Sequence, residues 1–215
     1  MSTDPFQAEV TRLALSAAAP HGYALAGGQA LMAHGIVSRH TEDIDLFTDV
    51  DDAALTVAQP LQTALEQAGL HTEVISGPDE LFEGMANDMV ELEVSHGTET
   101  VRVSLAHFRR IKPPVTLDIG PVLHLDDVLG SKIAALATRA EPRDFIDVAA
   151  ALRQYPAAEL IRLGQQADPT LVSDDFAEAM RRLDGLDDVV FTALYGLTEA
   201  EVSTVREAFS GWNRG

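Results

Sequence analysis

Thr41-Glu42-Asp43-Ile44-Asp45 sets two carboxylates two residues apart in a short apolar run with Leu46 and Phe47. Side chains alternate along a strand, so Asp43 and Asp45 share one face with Cα atoms roughly 6.5–7 Å apart. Carboxylates at that spacing converge on one Mg²⁺ or Mn²⁺, or bridge two such ions. Upstream, Gly27–Gly28 ends the apolar run Tyr23–Ala26 and leads into the helix formers Gln29–His34. Tandem glycines let backbone N–H groups approach a phosphate, and a helix start adds partial positive charge there. Alone, the first feature is an ordinary solvated strand end and the second an ordinary turn. In this order they read as an anion-binding turn followed by a metal-binding strand.

A second constellation lies further on. Lys132, one of two lysines in the chain, falls among Leu129, Ile133 and Leu136 on a helix-forming stretch. An ammonium beside apolar neighbours calls for a fixed anion, and a triphosphate is a suitable one. Arg139 and then Pro142-Arg143-Asp144-Phe145-Ile146-Asp147 follow. Asp144 and Asp147, three apart, share a helix face where they can orient Lys132 or Arg139, and Asp144 also stands where it would cap that helix.

These residues need elements to hold them. Phe6, Val10, Leu13 and Leu15 mark an amphipathic helix to about Ala19, ended by Pro20-His21-Gly22. Strand, glycine turn and helix follow over Tyr23–His34, then a strand around Ile44–Phe47. A helical stretch to about Gly69 is expected to be interrupted at Pro60, with a strand near Thr72–Ile75. Met89–His96 and Thr100–Ala106 alternate on either side of Gly97 and predict an antiparallel hairpin with Val101, Val103 and Leu105 on one face and Arg102 and Ser104 on the other. Extended pieces are expected at Val115–Asp118 and Val122–Leu125. Helices are expected at Asp126–Arg139, Pro142–Gln154, Ala157–Ala167, Asp174–Leu183 and Glu199–Phe209. This pattern gives an α+β fold: an α/β-type core with a mixed sheet over residues 1–125, then a helical C-terminal region, 126–215, that completes the site.

Composition narrows the function classes. The chain has 215 residues and no cysteine, which excludes disulfides, thiolate metal sites and cysteine nucleophiles. Its seven histidines (21, 34, 40, 71, 96, 107, 124) show no i,i+2 or i,i+4 pair, which argues against zinc. Hydrolase elbows, Walker loops and dinucleotide fingerprints are missing. No long apolar segment or basic leader occurs, so a cytoplasmic protein without membrane contact is expected. The net charge of −19 disfavours nonspecific nucleic-acid binding. Yet Arg102–Arg143 holds seven bases against four acids, while Glu42–Asp52 holds six acids and no base. The basic stretch Arg102–Lys112 is a candidate phosphate track. Trp212, with Phe209 three residues before it, reads as a helix end docking on the body.

The order glycine pair, helix, T-x-D-x-D resembles the core of the DNA polymerase β-like nucleotidyltransferases. L-A-G-G-Q-A-L-M-A-H-G followed by R-H-T-E-D-I-D-L-F is similar to the AbiEii/AbiGii toxin branch, which includes mycobacterial tRNA-modifying toxins. The helix Lys132-Ile133-Ala134-Ala135-Leu136 and the later Arg143-Asp144…Asp147 resemble the same branch, and the likeness spans about Tyr23–Leu152. It implies transfer of a nucleoside monophosphate from a triphosphate to a hydroxyl, the 3′ end of tRNA, and a cognate antitoxin. A small-molecule or protein hydroxyl is the alternative acceptor, and a silent nucleotide- or partner-binding member the alternative class. Asp43, Asp45, Lys132, Asp147 and Asp144 are the implied catalytic residues, with Asp43 and Asp45 on the metal. Gly27, Gly28, Thr41, Lys132, Arg139 and Arg143 are the implied phosphate ligands. A third strand carboxylate, usual in the superfamily, is replaced here by Ser104, leaving Glu91, Glu93 or Asp118 as substitutes.

Overall fold

The computed structural model describes residues 4–39, 41–76 and 89–215. The chain divides into two compact units, Met1–His124 and Leu125–Gly215.

The first unit opens with α1 (Pro5–Ala18), started by Pro5 and by the Asp4 side chain, which accepts from Phe6 N at 3.1 Å. Its apolar stripe Phe6, Val10, Ala14, Leu15 and Ala18 is buried. Then come β1 (Ala24–Leu25), α2 (Gly27–Ala33), β2 (Asp43–Thr48), α3 (Ala53–Gln67) and β3 (His71–Ser76). The hairpin β4 (Met89–His96) and β5 (Glu99–His107) follows, then β6 (Val115–Leu117) and β7 (Gly120–Val122). All seven strands join one sheet in the order β3-β4-β5-β2-β1-β7-β6. β2 is central, antiparallel to β1 and parallel to β5, so the sheet is mixed. Ile44 and Leu46 on β2 are fully buried, and α1 and α3 pack against each other, with α1 also meeting β2 and α3 meeting β4 and β5. The opposite face of β2 carries Asp43 and Asp45, both half-buried.

Two expectations are corrected here. α3 runs unbroken through Pro60. The proline and Thr56, whose carbonyl loses its N–H partner, are both exposed, so water takes over, while buried Val57, Leu61 and Leu65 keep the helix in place. The second of the late strands begins earlier than expected, at Gly120 rather than Val122, because Leu117 pairs with Gly120 across a two-residue turn of Asp118 and Ile119. Leu123 N then bonds Leu25 O at 2.9 Å, just past the end of β7.

The second unit comprises α4 (Leu125–Thr138), α5 (Pro142–Leu152), α6 (Ala157–Ala167), α7 (Ser173–Gly185), α8 (Asp188–Tyr195) and α9 (Glu199–Ala208). Helix α8 was not anticipated, because Val189, Val190 and Thr192 are weak helix formers. Its ends were nonetheless signalled: the Asp187 carboxylate accepts from Val189 N at 2.9 Å, and Gly196 takes φ +67° at the C-terminus. Phe145, Phe191 and Phe209 are fully buried in this unit. Trp212 docks edge-on against Phe209 (5.3 Å between centroids) and Phe176 (6.0 Å). α4 and α6 approach closely through glycines. A Cβ on Gly130 would lie 2.8 Å from the Leu163 carbonyl oxygen, and one on Gly164 would overlap Ile133 Cγ2.

Candidate active site

In the first unit the chain returns to its glycine turn from the sequence-distant strand β2. Gly27 has φ +58°, and a Cβ there would overlap the Asp45 carboxylate at Oδ2. Gly28 faces Thr41, whose Cγ2 would lie 2.8 Å from an added Cβ. Gly27, Gly28, Thr41 and Asp45 therefore form one cluster, with Asp43 on the same face of β2 as Asp45. Ala26 N donates to Asp45 O at 2.8 Å and fixes the turn to the strand. Thr41 is buried, and its carbonyl accepts from Gln7 Nε2 of α1 at 2.8 Å.

Strand register decides where the remaining acids stand. Asp45 pairs with Ser104 and Ser104 with Glu91; Asp43 pairs with Arg102 and Arg102 with Glu93. Each row crosses three adjacent strands on one face. Glu91 begins roughly 10 Å from Asp45 at the Cα level, two strand spacings. Its carboxylate leans back, with Oε1 3.5 Å from Ser104 Oγ. Asp118 sits in the β6–β7 turn, away from these rows. Among the described residues, no group of three or more His, Cys, Asp or Glu is arranged to hold a metal ion, and His40 lies outside those residues.

One cation beside the turn escaped sequence reasoning. Arg39 Nη2 would lie 3.3 Å from a Cβ on Gly28, which puts a guanidinium next to the glycine pair. Its place two residues before Thr41, just ahead of the base-free acidic run Glu42–Asp52, was the available signal. The basic stretch is partly committed to structure: Arg110 pairs with Asp49 and donates to Gly22 O at 3.1 Å. Arg102 and Arg109 are exposed.

In the second unit, Lys132 Nζ lies 3.0 Å from Asp147 Oδ2, joining α4 to α5. Asp144 is fully buried and accepts from Arg139 Nε at 2.9 Å, Arg139 Nη2 at 2.8 Å and Glu141 N at 3.1 Å. It closes a capping box at the start of α5 and holds Arg139 in a fork–fork pair. Arg143 Nε donates to Glu141 Oε2 at 2.8 Å. The sequence-predicted residues thus form two sets: Gly27, Gly28, Thr41, Asp43 and Asp45 in the first unit, and Lys132, Arg139, Arg143, Asp144 and Asp147 in the second.

A mixed sheet whose central strand presents Asp-x-Asp beside a glycine turn, followed by a helical unit, is the build of a nucleotidyltransferase. Residues 11–202 match the model of the family described as nucleotidyl transferase AbiEii toxin, type IV toxin–antitoxin system, and the chain belongs to that family. It is a nucleotidyltransferase of the toxin kind, and membership implies an antitoxin partner and a nucleotide substrate. Among solved structures, it is similar in fold to JHP933 from Helicobacter pylori, with TM-score 0.63 and 15% identity over 96% of this chain and 91% of that one. It is also similar to MenT4, a nucleotidyltransferase toxin from Mycobacterium tuberculosis, with TM-score 0.58 and 17% identity over 95% of this chain and 82% of that one. No curated protein sequence matches the chain. No helix among the described residues is long and apolar enough to cross a membrane.

Proposed function

We propose that the protein transfers a nucleoside monophosphate from a nucleoside triphosphate to the 3′ end of tRNA. The observation that carries this reading is the cluster of Asp43 and Asp45 on one strand face against a glycine turn too tight for any side chain. In the reaction, the acceptor hydroxyl oxygen bonds the α-phosphorus, the bond from that phosphorus to the bridging oxygen breaks, and pyrophosphate leaves. The hydroxyl proton passes to a nearby carboxylate, and Glu91, leaning over Ser104 in the row of Asp45, is the one we assign.

Two half-buried carboxylates suit a hard divalent cation such as Mg²⁺, which keeps several waters and takes its remaining oxygens from phosphates. Asp43 and Asp45 would hold that ion, whose chemistry is to neutralise phosphate charge and lower the acceptor hydroxyl's pKa. Gly27, Gly28 and Thr41 cradle the β- and γ-phosphates, and Arg39 adds positive charge there. From the helical unit, Lys132 is assigned to charge on the leaving group, held by Asp147, with Arg139 and Arg143 as further phosphate ligands.

The test is incubation of purified protein with Mg²⁺, each α-labelled triphosphate in turn and total bacterial tRNA, beside Asp43→Ala. Label should pass to tRNA with the wild type only, and affinity for tRNA should fall steeply with salt. The net charge of −19 favours a second reading, a small-molecule or protein hydroxyl as acceptor. Pyrophosphate release without tRNA labelling, or a flat salt response, would select it.

A further inference from the structure

Four uncharged polar side chains are almost wholly buried behind the glycine turn: Gln7, Thr11, Gln29 and Thr41, each at most 5% exposed. Burying amides and hydroxyls is unfavourable unless they bond one another, and what such a network adds over apolar packing is direction. Here the bonds form one chain, from Thr41 through Gln7 and Thr11 to Gln29. Gln7 Nε2 donates to Thr41 O at 2.8 Å, and Thr41 Oγ1 donates to Gln7 Oε1 at 3.5 Å, so one amide grips both the backbone and the hydroxyl of Thr41. Thr11 Oγ1 donates to Gln7 O at 2.7 Å and lies 3.0 Å from the Gln29 amide oxygen. Thr11 has a single proton for these two acceptors, while Gln29 Nε2 is buried without a partner among the described residues. Turning the Gln29 amide over lets it donate to Thr11, which then donates to Gln7 O. Gln29 directly follows Gly27–Gly28, and Gly28 in turn abuts Thr41.

We infer that Gln7, Thr11 and Gln29 are positioning residues that hold the Thr41 hydroxyl and the Gly27–Gly28 backbone at a fixed separation for a triphosphate. The inference rests on the reading of that turn as the phosphate cradle. None of the three need touch the nucleotide. They act through Thr41 and the glycines: Gln7 and Thr11 from α1, a helix that sequence reasoning treated only as core, and Gln29 from α2.

The experiment uses Thr11→Val, which keeps the side-chain shape and removes the hydroxyl, with Thr11→Ser as rescue. Thr72→Val is the control: another buried hydroxyl, bonded to Glu66 at 2.9 Å and Gln62 at 3.3 Å and outside this chain of bonds. Binding of α,β-methylene triphosphates and of nucleoside monophosphates, both with Mg²⁺, is measured beside amide hydrogen exchange in the full chain. Thr11→Val should weaken the triphosphate about five- to tenfold, the worth of one or two buried hydrogen bonds, and speed exchange at residues 27–29 and 41. Monophosphate affinity should stay within about twofold, Thr11→Ser should restore the triphosphate, and Thr72→Val should change neither ligand. Unchanged triphosphate affinity in Thr11→Val with unchanged exchange overturns the inference, as does an equal loss for both ligands. A wild type that binds no triphosphate overturns the cradle itself, and exchange at residues 27–29 and 41 then decides the positioning role alone.

Discussion

Lys132 Nζ and Asp147 Oδ2 stand 3.0 Å apart, the lysine side chain 12% exposed and the aspartate 0%. An ion pair so far out of water is costly to form and more costly to halve, because removing the lysine takes the counter-charge from a buried carboxylate. A single substitution at Lys132 therefore mixes two effects, lost catalysis and lost stability. Lys132→Ala should lower stability by about 3–5 kcal/mol as well as abolish turnover. The double variant Lys132→Met/Asp147→Leu should regain most of that stability in a denaturant melt while remaining inactive. Activity in the double variant would remove Lys132 from the reaction.

Asp43 is half-buried on the strand face opposite the core, so its carboxylate can go without disturbing Ile44 or Leu46. Asp43→Ala should cost about a hundredfold or more in nucleotidyl transfer, with an unchanged circular dichroism spectrum and melting temperature. Retention of more than a few per cent of activity would show that the ion is held elsewhere.

Gly27 is constrained twice, by φ +58° and by the Asp45 carboxylate where a Cβ would be. Gly27→Ala should destabilise the first unit by about 1–3 kcal/mol and remove triphosphate binding. Gly35, also at positive φ (+73°) but facing open space, is the matched control. Gly35→Ala should share the backbone cost and keep binding, as titration with a triphosphate analogue would show.

Tyr23 buries its hydroxyl without a partner among the described residues, and burial pushes its pKa up to about 12 from 10.0. The folded pKa lies above the unfolded one, so the neutral phenol's contribution is intact below pH 10 and is lost as pH rises from 10 through about 12. Tyr23→Phe should flatten the loss of stability over that window and be neutral or slightly stabilising at pH 7, because no hydrogen bond is forfeited. Chemical melts at pH 7 and across the alkaline range measure both.

α4 and α6 touch through Gly164 and Ile133, next to Lys132 on α4. Gly164→Ala should cost about 1–3 kcal/mol by overpacking, and Ile133→Ala in the same chain should recover part of it. Thermal melts of the single and double variants read the coupling.

Much of the site was legible because it is local. Asp43 and Asp45 share a face by the period of a strand, and Gly27–Gly28 stands at a strand-to-helix turn. The β4–β5 hairpin was legible for the same reason. What stayed hidden depends on residues far apart in the chain. No spacing rule tells that Gln7 reaches Thr41, 34 positions away, or that Arg39 returns to Gly28. Where Glu91, Glu93 and Asp118 stand relative to Asp43 and Asp45 needed the register of three strands. Pro60 misled because its cost depends on which helix face is wet, and α8 was missed because its interior favours strand while its caps favour helix.

The pairing of β2 with β5 has a consequence for the order of events during synthesis. Asp45 and Ser104 are 59 positions apart in the chain, a long loop to close, while the β4–β5 and β6–β7 hairpins close over a few residues. A ribosome that has released the glycine turn and both aspartates has yet to release the strand that flanks them. A nascent chain that already carries Asp43 and Asp45 therefore still lacks both β5, which flanks their strand, and the helices that bear Lys132 and Asp147, so the parts assigned to nucleotidyl transfer come together only late in synthesis.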